Sequence, residues 1–182
     1  MVRRIGMTIM GLALAGTPAA AQIKPSAQAL APATPPAPAA GVQWVAAQGG
    51  AIPPGAEPTG YESGGFLYTC RARVEGGEVH SGKVRPGFDG CYVPTGGREV
   101  AVRQYEVLIG AGTWVVARDG SVPEGSVEVG RTRTGQSLYA CRAAGAAGQL
   151  VPGKTGAGLR GCNVGVGGVE HTEPMYEVLV AH

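Results

Sequence analysis

Bulky and charged side chains are both scarce in this chain: of 182 residues two are Trp, two Phe and six Tyr, and 15% are Asp, Glu, Lys or Arg. Three histidines and four cysteines complete a thin chemical inventory. No cysteines form a C-x-x-C and none clusters with a histidine, so the spacings of a zinc site are missing and no metal is expected. No serine stands in a nucleophile-elbow pattern, and spacing alone nominates no pair of carboxylates for glycoside cleavage. An enzyme is therefore not expected, nor a cofactor. Basic charge is missing too. The formal net charge is +2, and Arg3 and Arg4 supply all of it, so a chain without its first 21 residues carries 0. With no stripe of Lys and Arg to release counterions, nucleic acid is a poor candidate partner, and anionic lipid is no better.

Long apolar runs are also absent. Ile5 to Gly16 is the most apolar stretch, shorter than the roughly 20 residues of a membrane span. A basic start at Met1 to Arg4 precedes it, and Ala19-Ala20-Ala21 follows as an A-x-A cleavage pattern. Residues 1–21 therefore read as a secretory signal peptide, which implies a periplasmic or secreted protein with no membrane anchor after cleavage. Residues 22–41 are almost all Ala and Pro. Such a segment cannot bury enough surface to offset its ordering entropy and reads as a disordered linker. Ordered structure is expected over 42–182.

That region repeats itself. Trp44-Val-Ala-Ala with Gly50, Pro53 and Gly55 recurs as Trp114-Val-Val-Ala with Gly120, Pro123 and Gly125, an offset of 70 positions. After one inserted residue the offset is 71: Leu67-Tyr-Thr-Cys-Arg-Ala matches Leu138-Tyr-Ala-Cys-Arg-Ala, Gly82-Lys83 matches Gly153-Lys154, and Tyr105-Glu-Val-Leu matches Tyr176-Glu-Val-Leu. The copies span 44–109 and 114–180. Within Leu67 to Val74, the small or apolar Tyr68, Cys70, Ala72 and Val74 alternate with the polar Thr69, Arg71 and Arg73, the period of a strand with one wet face. Gly-Gly and Pro-Gly pairs punctuate the rest as turns. The expected fold is all-β, with two tandem antiparallel β repeats related by a pseudo-twofold axis. So thin a supply of bulky side chains requires the two copies to share one core.

The pattern W-V-A-A-x-G-G-x-I-P-P-G-A, then G-Y-E, L-Y-x-C-R-A-R, G-K-V-R-P-G-F-x-G-C-Y-V-P-x-G-G-x-E and Q-Y-E-V-L resembles the DM-nine repeat family. It covers Trp44 to Leu108 closely and Trp114 to Leu179 more loosely. Members include invertebrate mannose-binding lectins and the amino-terminal part of natterin-like toxins. The resemblance thus implies a two-repeat β module with carbohydrate recognition as its best-understood activity, and a mannose-like glycan as partner. It also implies that the acid of the G-Y-E turn, Glu62, and the lysine of the S-G-K turn, Lys83, contact the sugar, with Tyr61 and Tyr92 beside them. A carboxylate accepts from two hydroxyls of a vicinal diol while an ammonium donates to their oxygens. The other reading of the pair is a surface ion pair in an envelope structural or interaction module without sugar binding.

The second copy keeps Lys154 but carries Arg131, Thr132 and Arg133 around the acid's position, and Asn163 in place of Tyr92. Its site reads as degenerate, with Glu128 the nearest candidate substitute. One site per protomer would make useful avidity depend on a homo-oligomer. His80 is placed either in the Lys83 pocket or in a solvated turn. Cys70 with Cys91 and Cys141 with Cys162 recur at one spacing, open to two readings: disulfides closing loops of roughly 20 residues, or buried thiols. Gly148 to Thr155 satisfies G-x-x-x-x-G-K-[ST] letter for letter. A phosphate-cradling loop needs a following helix, however, and Gly156, Gly158 and Gly161 argue against one.

Overall fold

The computed structural model describes residues 41–182, so the signal peptide 1–21 and the Ala/Pro linker up to residue 40 lie outside the described residues. Every regular element among the described residues is a strand. The first copy supplies β1 (Val42–Gln48), β2 (Gly60–Glu62), β3 (Gly65–Arg73), β4 (Val79–Val84), β5 (Cys91–Thr95), β6 (Arg98–Val102) and β7 (Gln104–Gly110). The second supplies β8 (Gly112–Arg118), β9 (Glu128–Arg131), β10 (Ser137–Ala144), β11 (Leu150–Gly156), β12 (Cys162–Val166), β13 (Val169–Glu173) and β14 (Met175–Ala181).

Hydrogen bonding runs in the order β1-β7-β3-β4-β5-β6-β13-β12-β11-β10-β14-β8. The order is a palindrome of equivalent strands, which is what a pseudo-twofold axis between β6 and β13 produces. Strand β2 pairs with β3 and also with β11, at Leu150 opposite Tyr61. The path β2-β3-β4-β5-β6-β13-β12-β11 therefore returns to its start as an antiparallel barrel. Closing the ring leaves those strands without open edges.

The apolar interior divides into three clusters. Cys70, Val84, Val93 and Val107 belong to a first-copy cluster, and Cys141, Val151, Val164 and Val178 to its second-copy counterpart, into which Leu67 reaches across. The third cluster mixes Val42 and Leu108 with Val127, Val129, Leu138 and Leu179. Neither copy could bury these faces alone.

Strand β3 departs from the one-wet-face expectation: Thr69 is 1% and Arg71 4% exposed. Side chains of neighbouring segments cover that face, with the Trp44 ring of β1 over Arg71 and Thr59 against Thr69. Both of these buried polar side chains find partners within the fold. The Thr69 hydroxyl donates to Thr59 Oγ1 at 2.9 Å, and Arg71 Nε donates to Glu106 at 2.7 Å while its guanidinium lies 4.3 Å over Trp44. The second copy repeats the device with Arg142, Glu177 and Trp114.

Each pair of cysteines, open from sequence, forms a disulfide: Cys70–Cys91 and Cys141–Cys162, with Cα separations of 6.0 and 5.9 Å. The first ties β3 to β5 across β4, and the second ties β10 to β12 across β11. Glycine occupies the bridged strand opposite the first cysteine of each pair, Gly82 facing Cys70 and Gly153 facing Cys141. A Cβ on Gly82 would lie 2.0 Å from the Tyr92 carbonyl oxygen, and one on Gly153 2.1 Å from that of Asn163. These glycines let the middle strand approach its neighbour closely. Consequently Gly82-Lys83 and Gly153-Lys154 are strand interiors, not the turns expected from sequence.

Replacing Cys70 and Cys91 together by alanine should lower stability by about 3 kcal/mol, the order expected for closing a loop of this size. Urea unfolding of the oxidised protein and of this variant measures it. An unchanged midpoint would mean that the bond does not constrain the chain in solution.

Candidate functional site

Strand alternation carries Lys83 to one side of β4, opposite Tyr92 on β5, and the short β2–β3 hairpin carries Glu62 over it. Lys83 Nζ lies 3.0 Å from Glu62 Oε2 and 3.3 Å from Glu99 Oε1. Arg85, two residues along the chain, places its Nε 2.9 Å from the other Glu62 oxygen. Two acids and two bases thus balance in one cluster. Its depth is graded: the side chains of Lys83 and Glu99 are each 5% exposed, that of Glu62 19% and that of Arg85 26%. Burial would raise the Glu62 carboxyl's pKa, but hydrogen bonds from Arg85 and Lys83 outweigh it and hold the pKa below the usual range.

Tyr92 stands beside this cluster, its hydroxyl donating to Asp89 at 2.9 Å and its ring 4.5 Å from that of Phe88. Arg85 covers the Phe88 ring at 4.4 Å. Tyr61 does not join them. Successive side chains of a strand point to opposite faces, so Tyr61 turns away from the face of Glu62. It pairs with Phe66 on the outside, where the two are 50% and 64% exposed.

The second copy holds Lys154 in an analogous place with different company. Its Nζ lies 3.0 Å from Glu170 Oε1 and also donates to the Pro94 carbonyl of the first copy. Asn163, where the first copy has Tyr92, donates to the same Glu170 oxygen at 2.9 Å. Burial pulls the Lys154 pKa down, and the Glu170 charge opposes that pull. Burial would raise the Glu170 carboxyl, but the Lys154 charge and bonds from Asn163 and the Gly97 amide bring its pKa below the usual range. Glu128 is not the substitute acid: its carboxylate is engaged by Arg131 at 2.7 Å. The acid that reaches the Thr132–Arg133 segment comes from the other copy, Glu78, whose Oε1 accepts from the Arg133 amide at 2.7 Å.

His80 is likewise relocated. It lies three residues from Lys83 and so on the opposite side of β4, buried at 6% exposure rather than in a solvated turn. It lines a cavity of about 340 Å³ together with Glu78, Thr132, Gln136, Lys154 and Glu170. The lookalike phosphate loop ends inside β11, with Lys154 committed to Glu170 and no helix following. Among the described residues no three His, Cys, Asp or Glu side chains are grouped to hold a metal ion.

Sequence reasoning missed Arg85 and Glu99 in the first cluster and Glu170 in the second. A signal for the glutamates existed, because Gly-Gly-x-Glu at Gly96 to Glu99 recurs at Gly167 to Glu170 in the register of the lysines. Glu99 N donates to the Gly168 carbonyl and Glu99 Oε2 accepts from the Gly168 amide, both at 3.0 Å. Glu170 makes the matching pair with Gly97 at 3.2 and 2.8 Å.

Burial, aided by the Lys154 charge and opposed by Glu78 and Glu170, lowers the His80 pKa from 6.5 to about 4. The unfolded chain therefore takes up this proton first as pH falls, and stability present above pH 6.5 is lost as pH approaches 4. The loss should be roughly 3 kcal/mol, and His80→Gln should flatten the profile in that window. Glu62 and Glu170 contribute a separate loss at lower pH. Urea unfolding from pH 7.5 down to 4.5 measures both proteins, and equal slopes would refute the assignment.

The DM9 repeat family model matches the chain twice, over residues 34–102 and 64–173. The first match ends with β6, and the second runs from the β2–β3 hairpin through β13. None of the curated proteins compared matches the chain. The two matches together extend from residue 34 to 173, and on that span the chain belongs to the DM9 repeat family.

Proposed function

We propose that the protein is an exported, non-catalytic carbohydrate-binding module that holds a mannose-like vicinal diol at Glu62 and Lys83. The observation that carries this reading is the 3.0 Å contact between Glu62 Oε2 and Lys83 Nζ. An acid and an amine so close can serve adjacent hydroxyls of one ring, the carboxylate accepting and the ammonium donating. Glu99 holds Lys83 from below, so the amine is positioned before any ligand arrives. Glu62, more exposed than Lys83, is the member of the pair that a ligand meets first, and the Tyr92 ring offers an apolar surface for the C–H side of a sugar. Export is supported by the two disulfides, since such bonds persist in oxidising compartments.

A second reading, an envelope interaction module, is favoured by a different observation. Both Glu62 oxygens already have partners, Lys83 and Arg85, so the network is complete without ligand.

Binding on a glycan array separates the two. Under the lectin reading the full protein binds mannose-terminated glycans, and Glu62→Ala and Lys83→Ala each weaken binding at least about tenfold, the size of one lost charged hydrogen bond. Their unfolding midpoints show whether the variants remain folded. A native protein that binds no glycan supports the interaction module instead, and turnover of a chromogenic glycoside would contradict both readings.

A further inference from the structure

The second copy, with no acid at the position of Glu62, is not an empty version of the first. Its cavity is completed by residues of the first copy, among them Glu78 and His80, reaching over from β4 and the turn before it. The imidazole of His80 is 6% exposed, yet neither ring nitrogen has a hydrogen-bond partner. Glu78 Oε2 approaches Nε2 to 3.4 Å without making that bond. Two unsatisfied nitrogens on a buried ring are costly, and buried polar groups ordinarily find partners. The ring borders the space into which Lys154 and Glu170 also face.

We propose that this cavity is a second ligand site, for a neutral polyol, assembled across the two repeats around His80. A neutral imidazole has one donor and one acceptor nitrogen, and a hydroxyl group answers both. Glu78 and Glu170 add acceptors and Lys154 a donor. Those charges also select against other ligands: an anion would face two carboxylates, and a cation would face the ammonium. A volume of about 340 Å³ is of the size that holds a small molecule. The site shares no residue with the Glu62–Lys83 cluster, so it stands whether or not that cluster binds sugar.

The test is nuclear magnetic resonance of the full chain, isotope-labelled and titrated separately with methyl α-mannoside and myo-inositol at millimolar concentration. With at least one probe, the His80 ring and Gln136 side-chain signals should shift in the native protein and equally in Glu62→Ala. Two variants should abolish those shifts: His80→Leu, which removes the two nitrogens, and Ala157→Trp, which obstructs the cavity from an exposed lining position. Affinity should fall at least about tenfold in each. Ala157→Trp leaves every polar group in place, so it guards against an effect of misfolding. If the His80 and Gln136 signals do not respond to either polyol, or respond unchanged in Ala157→Trp, the proposal is overturned. Shifts near Tyr92 that vanish in Glu62→Ala report on the first cluster alone, so failure of one site is distinguishable from failure of the other.

Discussion

The arrangement turns on a reciprocal exchange at the pseudo-twofold axis, in which a glutamate of each repeat grips the glycine turn of the other. Glu99 holds Gly168 through main chain and carboxylate, and Glu170 holds Gly97 in the same way. The remaining oxygen of each carboxylate faces a buried lysine, Lys83 or Lys154. One side-chain type thus performs two tasks, joining the halves and neutralising an ammonium that burial would otherwise penalise. Charge pairing here works beside the apolar cluster that the two copies share.

This constraint explains why two clusters of common origin diverge. In the first copy Glu62 covers its own lysine, with Arg85 and Tyr92 alongside. In the second, Asn163 replaces the tyrosine and no local acid stands above Lys154, but the axis brings Glu78 and His80 from the opposite repeat into that space. A change in one repeat's sequence therefore alters a site built mainly on the other.

Much of the fold was legible in the chain. The repeat register located equivalent strands, the alternation at Tyr68, Cys70, Ala72 and Val74 marked an inward face, and the paired cysteines stood at one spacing. The family resemblance, rather than the spacing, paired Glu62 with Lys83, which the fold brings into contact. Less visible was anything that depended on packing between repeats. Arg71 looked like a solvent residue because alternation cannot show that a strand has neighbours covering both faces. His80 is near Lys83 in sequence but points the other way across β4. Tyr61 adjoins Glu62 but, by the same alternation, shares a face with Phe66 instead. The Gly-Lys pairs read as turns because glycine usually marks one, whereas here it permits close strand approach.

Both disulfides stay within their own repeat. Four cysteines permit three connectivities, and this one lets each half be oxidised correctly with no help from the other. Cross-linking therefore fixes the halves separately, while their docking, beyond the main-chain link at Ala111, relies on hydrogen bonds, ion pairs and packing that can part and re-form without any thiol being exchanged.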